Sequence, residues 1–285
     1  MIILLLAALL NYVSAPVATM REGPSEDTKI ASQVFNSEQV AILEKQGDWV
    51  KIATVDDFPY QGWTKMSALC QREHPFLDKQ GTIIARVNRL AAHLYHVKDT
   101  EYGPIKTLPF ESRLEVMDQF GDLNGRWLYV QLVDGSYGYI QRGDVFLNPA
   151  TINAEKMVEL SKTFLGLPYT WGGRSSFGYD CSGFVQMLYR QMGVSIPRDS
   201  KQQVVWEGFR EVAIENMQPG DLIFFGREAN KVTHVGMYLG NDQFIQAVGA
   251  AENKPYLRIS GIHDPHWSGV GSLPYRVART LKNGN

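Results

Sequence analysis

Apolar positions along the chain follow two rhythms, and the change falls near residue 150. Before it, short β-rich runs are punctuated by Gly, Asp and Asn, with few stretches of helical period. Two of these stretches read as copies: residues 37–65, SEQVAILEKQGDWVKIATVDDFPYQGWTK, and residues 111–141, ESRLEVMDQFGDLNGRWLYVQLVDGSYGYIQ. Each has a strand-like run, a Gly-x-Trp turn (Gly47-Asp48-Trp49 and Gly125-Arg126-Trp127) and a second β-rich run. Each then closes on an x-Gly-aromatic element, Gln61-Gly62-Trp63 in one and Tyr137-Gly138-Tyr139 in the other. The two turn tryptophans stand 78 positions apart. A duplicated unit of short strands and tight turns predicts two small β-barrels. Trp49, Trp63, Trp127 and Tyr139 are expected in their cores. Polar, proline-containing stretches at 71–79 and 148–151 read as linkers.

After residue 151 the period lengthens. Met157, Val158, Leu160, Phe164 and Leu165 form a helix-period stripe over 154–165. A second helix is expected after Asp180, whose carboxylate can accept an N–H from the first turn. Phe184, Val185, Leu188 and Met192 make its buried face, and Gly193 ends it. Strand patterns follow in DLIFF, THVGMYLG and QFIQAV. Helices followed by strands predict an α+β domain.

With 285 residues, 44% of them hydrophobic and 20% charged, the chain can bury a substantial core. A net charge of −2 with no dense Lys/Arg run excludes nucleic acid as the expected partner. The nine apolar residues 2–10 are too few to span a membrane but suit the core of a signal peptide, with Val13-Ser14-Ala15 as a cleavage site. Against export, no Lys or Arg precedes that run, and residues 13–20 also read as a first strand. Location is thus left between envelope and cytoplasm, with the envelope slightly favoured.

The two cysteines, Cys70 and Cys181, lie in different predicted domains, so each is considered singly. At a helix N-terminus, Cys181 faces unpaired N–H groups and the positive end of the helix dipole, both of which favour thiolate. It is a candidate nucleophile, with a structural buried cysteine as the other reading. In HVGMYLG, strict alternation puts His234, Gly236 and Tyr238 on the strand face opposite Val235, Met237 and Leu239. His234 is the candidate base, or else a satisfied structural histidine. A three-residue turn at Gly240-Asn241-Asp242 would set Leu239 opposite Gln243 and Gln246 opposite Gly236, diagonal to His234. Gln246 could then accept the imidazole N–H and fix its tautomer. A two-residue loop would point it away.

Together, PYTWGGRSSFGYDCSGFVQMLYRQMG, IPRDS, MQPGDLIFF and HVGMYLGNDQFIQA resemble the NlpC/P60 family of papain-like cysteine peptidases, over residues 154–281. The duplicated region resembles bacterial SH3 (SH3b) domains. The resemblance implies a short hydrophobic segment at 1–12, SH3b domains at 13–71 and 80–148, and a catalytic domain at 152–285. It makes Cys181 the nucleophile and His234 the base, and sets Tyr169 near the scissile carbonyl. Gln246 departs from the histidine that many members carry. Two SH3b domains ahead of such a domain resemble the γ-D-glutamyl-L-diamino acid endopeptidases. That subgroup implies hydrolysis of the bond from γ-D-Glu to a diamino acid, here meso-diaminopimelate, in peptidoglycan stem peptides with a free N-terminal L-Ala. Asp199, with Ser200 and Ser182 beside it, would hold the L-Ala ammonium, helped by Glu22 and Tyr60 from the first barrel. The expected partner is that peptide, acted on by a monomer with no stable membrane span, no metal and no cofactor. The alternative is a non-catalytic or acyl-transferring cell-wall binding protein that relies on its SH3b modules.

Other features carry less. His263 and His266 in GIHDPHWSG lack metal-site spacing and read as surface loop. Cys70 reads as packing, Asp199 can be read as a plain helix cap, and Gly172-Gly173 as a turn that brings backbone close to the cleft.

Overall fold

The computed structural model describes residues 9–77, 80–117, 123–249, 255–268 and 273–282. The apolar N-terminal run therefore lies outside the described residues up to position 8. Contacts divide the chain into two compact units, Met1–Val55 with Pro59–Ala150, and Asp56–Phe58 with Thr151–Asn285.

The first unit is all β apart from short turns. Its first sheet holds β1 (Leu10–Val13), β2 (Val17–Arg21), β3 (Ile30–Phe35), β4 (Gln39–Gln46), β5 (Trp49–Thr54), β6 (Gln61–Lys65) and β7 (Leu69–Arg72), in the order β3-β2-β6-β5-β4-β1-β7. Its second holds β8 (Ile83–Val87), β9 (Ala91–Tyr95), β10 (Lys106–Pro109), β11 (Arg113–Val116), β12 (Trp127–Gln131), β13 (Tyr137–Gln141) and β14 (Val145–Leu147), in the order β10-β9-β13-β12-β11-β8-β14. Adding seven to each label of the first order gives the second, so the sequence repeat is a repeat of topology. Both copies are SH3-like.

The cores differ from expectation in composition. They are aliphatic: Val13, Met20, Val34, Val50 and Ile52 in one copy, and Val87, Leu94, Leu114, Leu128, Val130 and Ile140 in the other. The strand period of two sends Leu128 and Val130 inward, so Trp127 and Tyr129 must face the other way. There Tyr129 stacks on Tyr137, with ring centroids 5.6 Å apart, and contacts Tyr139 at 5.1 Å, while Tyr95 meets Trp127 edge-on. Lys65 lies over the Trp49 ring. In the second copy the aromatics thus form an outer, partly exposed layer of the sheet, whereas Trp49 and Trp63 of the first copy are buried as expected.

Strand β1 begins at Leu10 and runs between β4 and β7, with Asn11 paired to both Val40 and Gln71. Val13, the first residue of the candidate cleavage motif, has no exposed surface. Cleavage after Ala15 would remove an internal strand from the first sheet. Cys70, half-buried, donates its S–H to the Val133 carbonyl, and burial raises its pKa. That is a packing role.

The second unit opens with α1 (Ala154–Lys162), capped by Asn153, whose side chain accepts from the Lys156 N–H. It is shorter than the stripe suggests, and Leu165 is exposed. A small ribbon, β15 (Arg174–Ser175) and β16 (Gly178–Tyr179), leads into α2 (Cys181–Gln191), and α3 (Ser200–Gln203) follows. The strands β17 (Phe209–Val212), β18 (Leu222–Gly226), β19 (Val232–Gly240), β20 (Gln243–Ala247), β21 (Leu257–Gly261) and β22 (Tyr275–Leu281) make one antiparallel sheet in the order β17-β22-β18-β19-β20-β21. Helix α2 packs on β19 and β20. Phe184 meets Phe164 and Tyr179 edge-to-face at 5.9 and 5.7 Å, which fastens α2 to the preceding chain. Gly193, at φ +77, ends that helix in the left-handed region as its position suggests. The architecture is α+β. Among the described residues, no helix is long and apolar enough to cross a membrane.

Candidate active site

Helix α2 starts at Cys181 because Asp180 caps it: the carboxylate accepts the Gly183 N–H at 2.7 Å. The same carboxylate takes two hydrogen bonds from Arg198, at 2.6 and 3.0 Å, in a bidentate pair of which the side chains are 3% and 11% exposed. Arg198 also donates to the Ser182 hydroxyl at 2.9 Å. The chain before α2 comes equally close. A Cβ at Gly183 would lie 2.2 Å from the Gly173 carbonyl oxygen, so only glycine fits there. Gly172-Gly173 is thus the tight turn that lets backbone reach the start of α2, with Gly172 at φ +74.

His234 comes from β19. The next residue in that strand, Val235, donates its backbone N–H to the Cys181 sulfur, so thiol and histidine sit on adjoining backbone. The imidazole stacks on Trp267 at 4.9 Å and leans on Phe225 at 5.9 Å. Its Nε2 is 2.5 Å from Gln246 Oε1, and Gln246, which has no exposed surface, donates through Nε2 to the Ser260 hydroxyl at 2.8 Å. With its amide so oriented, Gln246 accepts Nε2–H and leaves Nδ1 as the basic nitrogen of the neutral ring.

Gln246 reaches this position by a route different from the expected one. The connection is a two-residue turn, Asn241-Asp242, with both residues at positive φ, and Gly240 faces Gln243 instead of Leu239 doing so. A one-residue slip follows, since Tyr238 pairs with Phe244 and Leu239 is the unpaired residue of a bulge. That bulge cancels the slip: Met237 pairs with Ile245 and Gln246 returns to His234's face.

The charge state also differs from expectation. Burial, then the Asp180 carboxylate, push the Cys181 thiol up to about 12, against smaller lowering from the Val235 N–H and Arg198. Only 8% of its surface is exposed. Burial pulls His234 down to about 4, despite the raising effect of Gln246. The resting pair is therefore a neutral thiol beside a neutral imidazole, and desolvation outweighs the helix terminus. Burial, Cys181 and Asp180 also raise the Tyr169 phenol, which keeps it a hydrogen-bond donor.

Asp199 stands at the N-cap position of α3 but makes no capping bond, so the plain-cap reading does not hold. Its Oδ2 lies 3.8 Å from Lys201. Gln203 donates to the carbonyls of Ser182 and Pro197, at 3.1 and 2.8 Å, which ties the start of α3 to the start of α2. Ser182 and Ser200 are both buried. Glu22 and Tyr60 belong to the first unit. Glu22 follows β2 and is exposed, while Tyr60 precedes β6, half-buried, with its hydroxyl 3.5 Å from the Ala31 carbonyl. Arg198, Ser260 and Trp267 were not expected at the site. His266 packs against Trp267 at 4.5 Å and acts electrostatically on His234, so it borders the site instead of an unrelated loop. The register of β20 against β21 brings Ser260 in, while Arg198 arrives just ahead of α3 and His266 and Trp267 from the turn after β21, and no local motif announces these placements.

Residues 166–270 match the NlpC/P60 family and residues 16–66 match the bacterial SH3 domain. Among curated proteins, a gamma-D-glutamyl-L-lysine dipeptidyl-peptidase of Bacillus cereus is 32% identical over 235 residues, covering 77% of this chain and 67% of that protein. The protein of the same name in Bacillus subtilis is 32% identical over 238 residues, covering 80% and 75%. The crystal structure of an NlpC/P60 family protein from Bacillus cereus superposes with a TM-score of 0.80 at 25% identity, over 95% of this chain and 99% of that one.

Proposed function

The chain belongs to the NlpC/P60 family, and from that premise we propose that it is a cysteine peptidase acting on peptidoglycan stem peptides at the bond between γ-D-Glu and the diamino acid. One observation carries the reading: a thiol at the first residue of a helix abuts the strand of a histidine whose Nε2 is held by a buried glutamine. Because the resting pair is neutral, the thiol gives its proton to His234 Nδ1 as sulfur attacks the γ-carbonyl carbon. The oxyanion that forms is stabilised by N–H groups at the start of α2 and by the Tyr169 hydroxyl. The imidazolium then protonates the leaving amine, and water activated by the restored base releases L-Ala-D-Glu from the sulfur.

Asp199, with Ser182 and Ser200 of the same unit, binds the L-Ala ammonium. A carboxylate there favours a free amine over an acylated one. The enzyme acts as a monomer, built of SH3b domains at 13–71 and 80–148 and a catalytic domain at 152–285. Light scattering checks the first point.

The test is incubation of L-Ala-γ-D-Glu-meso-diaminopimelate with the wild type and with Cys181→Ala. Release of L-Ala-D-Glu by the wild type alone is expected, and release by both or by neither rejects the mechanism. An added amine acceptor, with products read by mass, separates hydrolysis from transfer.

A further inference from the structure

Past the imidazole, between β21 and the turn that follows it, lies an open groove of about 630 Å³. Tyr256, Arg258, Ser260, Asp264, His266 and Trp267 line it. The groove shares its wall with the catalytic pair, since Trp267 stacks on His234 and Ser260 holds Gln246. In the mechanism above, on which this inference rests, His234 hands a proton to the leaving amine. A general acid must lie within hydrogen-bond reach of the nitrogen it protonates, so the diamino acid leaves on the imidazole's side, where this groove begins.

The lining carries both signs of charge. Arg258 stands opposite Gln246 in the β20–β21 register, on the same sheet face. His266 follows from the turn, and both residues lie near enough to His234 to act on it electrostatically. Asp264 supplies the negative charge, and its Oδ2 accepts the Gly261 N–H at 2.8 Å, which fixes the carboxylate on the turn. A lysine side chain ends in an ammonium alone. Diaminopimelate is lysine with one more carboxylate on the ammonium-bearing carbon, so its side chain ends in a zwitterion.

We infer that the groove receives the side chain of the diamino acid and selects the zwitterionic end, carboxylate toward Arg258 and His266, ammonium toward Asp264. Arg258 is the specificity-determining residue in this arrangement, because its planar fork matches a carboxylate. The substrate preference is therefore diaminopimelate over lysine, in contrast to the lysine in the names of the Bacillus relatives.

The experiment compares L-Ala-γ-D-Glu-meso-diaminopimelate with L-Ala-γ-D-Glu-L-lysine as substrates of the full chain, following L-Ala-D-Glu release. The wild type is expected to favour the diaminopimelate peptide in kcat/KM by about tenfold or more. Arg258→Gln lowers that ratio about tenfold, and Arg258→Lys, which keeps the charge, retains part of it. Equal kcat/KM values for the two peptides in the wild type, or a ratio unmoved by Arg258→Gln, overturn the assignment and leave the peptidase reading standing. Hydrolysis of neither peptide removes the peptidase reading and the groove assignment with it. Should Arg258→Gln fail to fold, the wild-type ratio and the His266→Gln ratio decide.

Discussion

The Asp180–Arg198 pair gives the most exacting test of how the site is built. Arg198→Met keeps most of the buried stem volume but removes a guanidinium that makes two bonds to Asp180 and one to Ser182. What remains is a carboxylate in a nearly closed setting, still capping α2 but without its countercharge. Breaking one side of such a buried pair costs about 3–5 kcal/mol, most of it the penalty of the stranded charge. Removing that charge as well should recover much of the loss. In Asp180→Asn/Arg198→Met the asparagine still accepts the Gly183 N–H, so the cap survives. The double variant is expected about 2 kcal/mol more stable than Arg198→Met alone. Because the chain has two units, stability is read from amide hydrogen exchange in α2 across a urea series. An Arg198→Met variant within about 1 kcal/mol of wild type, or single effects that simply add in the double variant, would refute the reasoning. Arg198 also lowers the Cys181 pKa, so its loss raises that pKa further and slows alkylation of the thiol at fixed pH.

Four other outcomes follow from the geometry. With Cys181 near 12 and His234 near 4, iodoacetamide should label Cys181 in the free enzyme faster at every step from pH 7 to 10, by about tenfold per unit. A plateau between pH 5 and 8 would mean a standing thiolate–imidazolium pair instead. For stability, His234 has a folded pKa below its ordinary 6.5, so the unfolded chain binds more protons between those values. Its contribution is complete above pH 6.5 and lost as pH falls through about 4, which acid melting curves of wild type and His234→Gln compare. Gly183→Ala drives a Cβ against the Gly173 carbonyl, so activity should fall about a hundredfold through displacement of Cys181. Wild-type kcat with an unchanged melting curve would reject that. Finally, deletion of residues 1–15 removes β1 and should lower the melting temperature of the first unit; unchanged melting would show the strand to be dispensable.

The parts of this molecule legible in its sequence are those set by local rules. A cap residue before an amphipathic run fixed the start of α2, and the duplicated turns gave two sheets with the same strand order. What escaped depends on competition between distant groups. The helix terminus does favour a thiolate at Cys181, but the surrounding sheet and Asp180 outweigh it, and no sequence pattern weighs those terms. The aromatics of the repeats looked like core because they are large. In the second copy the alternation along β12 and β13 gave the interior to aliphatic residues, which sent Trp127 and Tyr139 outward, while Trp49 and Trp63 of the first copy are buried.

Gln246 is the most instructive residue, since its side was read correctly from a loop of the wrong length. Asn241 and Asp242 both tolerate the left-handed region, which permits a two-residue turn. Taken alone, that turn would rotate every following side chain of β20 to the opposite face. The unpaired Leu239 reverses the error one residue later. Turn length and bulge therefore vary together, and the quantity that the chemistry constrains is their sum. The same coupling hides the groove: Arg258 and Ser260 reach the site only because β21 pairs with a strand whose own register has already been corrected. An insertion at Leu239 or a deletion in the turn should thus separate His234 from Gln246 and, in the same step, turn Arg258 away from the groove. Deletion of Asn241 alone is expected to abolish peptide hydrolysis while leaving α2 protected from exchange. Full activity in that variant would show that the sheet can restore the pairing by other means.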